Sequence, residues 1–480
     1  MTTRRRVLLP LALASLIATV GCASRPTAAP ASERHAAIEA SQPISQELAL
    51  ETFDVVWSTI AERHFDATHN GVDWTAVREE FRPKVERITN EPALRAELGA
   101  MIARLGQSHF GIIPRDLDVD AADAEASETD GGTGSGGDLG ILFRLVDGSI
   151  MTVAPRPDGP AARAGLGAGW RITAVQGEAL RAPKGGSADQ AANAMLRYAT
   201  ETAAAHRVHA APGERVELTG IDPAGVERTV AITAEAVGGE VVRFGNLPPF
   251  ETVVHARAIA SDEFGAAGVT EQPLPPSVGL VAFNIWMLPA AAGLDAAIDR
   301  FRGADGMILD LRGNPGGLGA MAMGIGGHFF TQAKSLGRMT NREGFIDFLV
   351  NPRRATADGR LVKPYAGPLA ILVDPLSAST SEIFAAGLQE LGRAVVIGQT
   401  TAGAALPSMA TKLPNGDVLQ FAVADFVTPE GNRIEGHGVV PDLPVTLTAE
   451  LLAREPDPVL AAALRWIAEQ HRRSADQPSS

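Results

Sequence analysis

Two stretches of the chain place small polar residues where an apolar strand hands over to a helix, the position a hydroxyl nucleophile and its oxyanion donors need. The first is Asp310-Leu311-Arg312-Gly313-Asn314-Pro315-Gly316-Gly317, ahead of a helix of small residues. Glycine there lets a backbone N–H face a cleft with no side chain in the way. The Lys-Ser/Thr ending of a phosphate-binding loop is missing, so this is not one. The second is Val373-Asp374-Pro375-Leu376-Ser377-Ala378-Ser379-Thr380-Ser381-Glu382-Ile383. A serine in that turn stands at the positive end of the following helix, where developing negative charge is favoured, and the next N–H can help bind an oxyanion. N-capping is the plainer role for a serine before a helix, and it suffices for Ser377 and Ser381.

The elements that must hold these turns are legible as changes of period. Residues 45–117 read as a small helical domain. Leu48, Val56, Trp57 and Ile60 share one face of a helix, and Asp73 caps a second helix through Trp74, Val77 and Phe81 in which Pro83 marks an early end. Leu94, Leu98, Met101, Ile102 and Leu105 give a third helix that stops at Gly106. Ser108-His109-Phe110-Gly111 follow as a polar loop, and a loop position by itself gives His109 no special role. Residues 118–136 are acidic and then Gly/Ser-rich, the composition of a linker. Residues 137–237 turn β-rich, and 238–276 read as an irregular, proline-containing connector. Residues 277–470 alternate short apolar strands with helices, which predicts α/β layering on a largely parallel sheet. A polar tail, 471–480, closes the chain.

The order Asp138-Leu139-Gly140-Ile141, Pro160-Ala161-Ala162-Arg163-Ala164-Gly165-Leu166 and Gly169-Trp170-Arg171-Ile172 resembles a PDZ domain of the bacterial protease kind. In such a domain the backbone N–H groups of Leu139, Gly140 and Ile141 would hold a peptide carboxylate while the adjoining strand edge pairs with the peptide. The chain as a whole resembles the S41 peptidases, the carboxyl-terminal processing and tricorn-core proteases, through Asp73-Trp74, the PDZ-like segment, Asp310 to Gly317 and Ser377 to Glu382. That resemblance implies a crotonase-like αβα catalytic core with Ser379 as nucleophile and the N–H groups of Gly317 and Thr380 as oxyanion donors. One branch of the family uses a lysine base, but its position falls on Ala404, with no lysine before Lys412. The tricorn-like branch uses histidine. Leu105-Gly106-Gln107-Ser108-His109-Phe110-Gly111 resembles its Ser-His pair, and Ile434-Glu435-Gly436-His437-Gly438 its glutamate segment. The match implies His109 as base, with Ser108 and Glu435 orienting it; His437 is the alternative base and Glu430 an alternative acid. The implied activity is a cofactor-free serine endopeptidase acting on exported polypeptides, which the PDZ-like groove would engage through free C-termini. The competing reading is an inactive, lipid-anchored peptide-binding scaffold.

Composition restricts the partners. A net charge of −14 and a pI near 5.3 leave no clustered basic surface for nucleic acid. There is no His-Glu-x-x-His helix and no His/carboxylate cluster at ligand spacing, so no metal is expected. Arg4, Arg5 and Arg6 precede an apolar run from Val7 to Val20, too short for a span, so residues 1–21 read as an export signal. Thr19-Val20-Gly21-Cys22 resembles the bacterial lipobox, which implies lipidation of Cys22 and a cell-envelope, periplasm-facing location. Residues 22–44 would then be a flexible tether. With one cysteine in the chain, no intrachain disulfide can form.

Overall fold

In the computed structural model, residues 42–115, 137–180, 190–208, 210–236, 239–242, 250–270 and 277–476 are described. The expected signal, Cys22 and most of the tether, the acidic linker and the tail's last four residues lie outside them.

The C-terminal core is built on a six-stranded sheet. Val278–Phe283, Gly306–Asp310, Leu369–Val373, Val395–Gly398 and Leu443–Pro444 run parallel, and Val254–Ala258 adds an antiparallel edge. Alternate residues of each strand supply two separate cores, as a sheet covered on both faces requires. Met307, Leu309, Ile371, Val373 and Val396 pack under the helices Leu288–Arg300, Gly319–Gly326 and Thr380–Glu390. Ile308, Ala370, Leu372 and Ile397 face the opposite way, onto the helices Ser261–Ala266 and Pro458–Ala475. The helix–sheet–helix layering expected from the alternating pattern is present. The stretch 238–276 differs from the irregular connector expected. It carries the edge strand Val254–Ala258, whose His255 and Arg257 break the apolar run that would have signalled a strand.

The N-terminal helices are Gln46–Arg63, Trp74–Val85 and Glu91–Ile102, capped by Ser45, Asp73 and Asn90, each accepting a backbone N–H. The second runs on past Pro83 to Val85. Pro83 sits in the last turn, and its ring costs only one hydrogen bond there. Their apolar faces close on Leu413, Leu419 and Phe421 of the core hairpin formed by Ser408–Lys412 and Val418–Ala422. The strand Gly111–Ile113 then joins that hairpin antiparallel, with Ile112 opposite Leu419. Arg95 of the third helix donates to both Asp417 oxygens, at 2.9 and 2.8 Å, on the same hairpin. The helical region is therefore sewn to the core by apolar packing, strand pairing and a shielded ion pair.

The segment 137–236 forms an antiparallel sheet in the order Leu142–Val146, Ser149–Val153, Arg171–Val175, Arg215–Ile221, Glu227–Thr233, with the helix Gln190–Arg207 against its first strand. It meets the core through Val146, Met151 and Val153, which pack with Ile308 and Leu372, and through Arg144, which is 3% exposed and donates from Nε to Asp374 Oδ2 at 2.6 Å.

Candidate active site

Asp374 begins the second of the two polar turns. Its Oδ1 accepts from the N–H groups of Gly313, Leu376 and Ser377, at 2.9, 3.0 and 3.1 Å, so one carboxylate ties the two turns together. Ser377 and Ser381 are fully buried. Ser377 Oγ donates to Leu311 O and Ser381 Oγ to Asn314 O. Both hydroxyls are consumed in holding the turns to each other.

Ser379 is different. It is partly exposed, stands immediately before the helix Thr380–Glu390, and its hydroxyl makes no capping bond. Its backbone has φ 56° and ψ −119°, a conformation an L-residue keeps only where its surroundings over-determine it. Those surroundings are visible. The Ser379 N–H donates to Ala404 O at 2.8 Å and to Glu382 Oε2 at 2.9 Å. Glu382, fully buried, also accepts from Thr401 Oγ1, Gly403 N and Ala404 N. Burial pushes its carboxyl up to about 7, against four hydrogen bonds that favour the ionised form.

The glycine pair lies against this elbow. A Cβ on Gly316 would meet Ser379 Cβ at 2.6 Å, and one on Gly317 would meet Trp286 O at 2.4 Å. Both have positive φ, 100° and 134°, so each position requires glycine twice over. Gly317 O accepts from Thr380 Oγ1 at 2.8 Å, which fixes the two expected oxyanion donors relative to each other. Neither the Gly317 nor the Thr380 N–H is engaged by another described residue.

Ser108, His109 and Glu435 come together across 327 positions of the chain. Glu435 Oε1 accepts from Ser108 N at 2.7 Å, and Oε2 accepts from Ser108 Oγ at 2.8 Å and from Ala405 N at 3.1 Å. Ser108 Oγ lies 2.8 Å from His109 Nδ1. Since the hydroxyl proton goes to the carboxylate, His109 Nδ1–H must donate to Ser108 Oγ, which leaves Nε2 with an open lone pair. Burial pushes His109 down to about 4, although part of its surface stays open, and it raises the Glu435 carboxyl. His109 is thus neutral at pH 7, the form that can take a proton.

No direct hydrogen bond joins the His109 ring to Ser379 Oγ. The link is the dipeptide Ala404-Ala405: Ala404 holds the Ser379 N–H, and the Ala405 N–H holds Glu435. Ala404, the position expected for a lysine base, carries only a methyl group, and Lys412 is exposed on the hairpin strand Ser408–Lys412. His437 and Glu430 are exposed, and the His437 side chain has no partner among the described residues. In the β-rich segment, Leu139 and Ile141 are buried in the segment's own core. The Gly140 N–H is already bonded to Asp138 Oδ1 at 2.6 Å, in a local Asp turn. The cradle expected there is therefore filled from within at its middle position. Sequence reasoning also missed Asp374 and Glu382, which organise the turns without touching a reacting atom. Glu382 three residues after Ser379 matches a helix-capping spacing and carried that much signal.

A hydroxyl in a strained strand-to-helix elbow, facing a glycine turn and accompanied by an imidazole–hydroxyl–carboxylate relay, defines a serine hydrolase on an αβα core. Residues 277–445 match Peptidase family S41 and residues 48–103 match the Tricorn protease C1 domain. It is 25% identical, over 83% of its length and 82% of the relative's, to a carboxyl-terminal-processing protease of Picosynechococcus. A carboxy-terminal processing protease of Bacillus subtilis is 26% identical over 64% of this chain and 56% of its own. Among solved structures, the photosystem II D1 C-terminal processing protease superposes with TM-score 0.52 at 21% identity, covering 88% of this chain and 97% of that one. Mature CPAF superposes with TM-score 0.53 at 15% identity, covering 90% and 99%. Among the described residues no group of three His, Cys, Asp or Glu side chains could hold a metal ion, and no helix is long and apolar enough to cross a membrane.

Proposed function

We propose that the chain is an exported serine endopeptidase in which His109, not a lysine, activates Ser379. The observation that carries this reading is the relay from His109 Nδ1 through Ser108 Oγ to Glu435, which leaves the lone pair of Nε2 free. An extended polypeptide enters beside Gly317. His109 Nε2 takes the Ser379 Oγ proton as the oxygen attacks the scissile carbonyl carbon, and the oxyanion rests on the Gly317 and Thr380 N–H groups. The imidazolium is stabilised through Ser108 by Glu435 and gives its proton to the departing amine. Water then cleaves the acyl-enzyme by the same route in reverse. Carboxyl-terminal processing is the activity named for the relatives. For this chain we read the segment 137–236 as PDZ-like, with a substrate C-terminus displacing Asp138 from the Gly140 N–H. Export rests on the Arg4–Val20 signal, and membrane attachment on Cys22.

The experiment is labelling by a fluorophosphonate probe together with cleavage of an unfolded protein, by wild type, Ser379→Ala and His109→Gln. Labelling and cleavage lost in Ser379→Ala, and reduced on the order of 10³-fold or more in His109→Gln, support the reading. A wild type that binds peptides but neither labels nor cleaves identifies the scaffold instead.

A further inference from the structure

The proposed base sits in a loop that has no regular structure to hold it, and His109 itself has φ 59°, in the left-handed region. Such a conformation persists only where neighbours fix it on several sides. Glu435 grips Ser108 from the core. On the other side the grip comes from residues 64–70, just beyond the first helix. Asn70 Nδ2 donates to Leu105 O at 2.8 Å. His64 Nε2 lies 2.9 Å from Gln107 Oε1, and the His64 ring stacks on Phe110 at 5.5 Å between centroids and 13° between planes.

We infer that His64 is a positioning residue for His109: one imidazole clamps Gln107 and Phe110, the residues flanking the Ser108-His109 pair. The inference rests on the proposed role of His109. His64 is suited to this because it is itself immobilised. It is fully buried, its other contacts include Phe65 stacked at 4.7 Å, and its backbone N–H closes the preceding helix on Ile60 O. Nδ1 faces the Asp66 backbone, 3.0 Å from its N–H and 2.9 Å from its carbonyl oxygen, while Nε2 meets Gln107 Oε1, so both ring nitrogens are held. Burial lowers the His64 pKa, against the hydrogen bonds to Gln107 and Asp66. His64 lies too far along the chain from Ser379 and Glu435 for sequence to suggest the connection. It makes no contact with the reacting atoms and acts only through the loop.

The test compares His64→Phe, which keeps a stacking plate but removes the N–H donor, with His64→Gln, which keeps a donor at similar reach. Gln107→Leu removes the same bond from the partially exposed side, should His64→Phe fail to fold. Three readouts are taken: amide hydrogen exchange of residues 105–111, kcat and KM on a peptide substrate, and thermal midpoint. Expected for His64→Phe or Gln107→Leu are faster exchange confined to that loop and a kcat lower by on the order of 10-fold, since a small misplacement of a catalytic group is that costly. KM should stay within about twofold, and His64→Gln should recover both exchange and kcat. Unchanged loop exchange in either bond-deleting variant overturns the inference. So does a loss that His64→Gln fails to repair, or one in which kcat, KM and midpoint fall together. A wild type without Ser379 reactivity would refute the peptidase reading, and loop exchange would then decide the positioning role alone.

Discussion

The most exposed claim is the protonation state of His109. Burial lowers it from 6.5 to about 4 because its charged form would lose water without gaining a carboxylate in direct contact. At pH 5, about nine-tenths of such a histidine is neutral, against about one-thirtieth of one that titrates at its ordinary value. The sign for stability follows. The unfolded chain binds this proton below 6.5 and the folded one only below about 4, so His109 contributes stability above pH 6.5 that is lost as pH falls toward 4. The full gap amounts to about 3 kcal/mol. The direct assay follows the Cε1–H signals of selectively labelled histidines from pH 8 to 4, with His109→Gln identifying the His109 resonance. Its midpoint should lie near 4, well clear of a histidine that titrates at its ordinary value. Glu382, raised to about 7, is the group that would give a rate profile a separate limb near neutrality. Glu382→Gln should remove that limb and leave the His109 midpoint where it is. A His109 midpoint between 6 and 7 would refute the claim that the site is dry enough to hold the base neutral.

Two further outcomes are expected. Gly316→Ala places a methyl 2.6 Å from Ser379 Cβ at a φ of 100°. It should destabilise the fold by about 1–3 kcal/mol and lower the rate of fluorophosphonate labelling on the order of 100-fold, read by urea melts and gel labelling. Arg144→Ala leaves Asp374 buried without its cation. It should cost about 3–5 kcal/mol in chemical denaturation, whereas a surface pair such as Arg454–Glu450 should cost under about 1 kcal/mol.

How far the sequence leads differs between scaffold and site. The core sheet is plain in sequence because both of its faces are buried, so Met307-Ile308-Leu309 and Leu369 to Val373 are apolar throughout. The edge strand Val254–Ala258 is not, because one flank meets solvent and its residues alternate without a clear apolar set. Ser379, Gly317, Ser108, His109 and Glu435 could be named only by likeness to a family, since three serines in one turn look alike until two of them are seen to be hydrogen-bonded and buried. Asp374 and Arg144 are 230 positions apart, and His64 and Gln107 are 43 apart. No local period records such pairings. They exist only once the layers have closed.

The strand Gly111–Ile113, seated beside Val418–Ala422, also sets an order in time. During synthesis the imidazole emerges early, but the strand that receives it and the glutamate at 435 are among the last parts of the core to leave the ribosome. On the proposed relay, the site is therefore complete only once the segment around residue 435 has joined the core, rather than growing as the chain lengthens. A peptidase assembled this way is silent while its own unfinished backbone is the nearest available target.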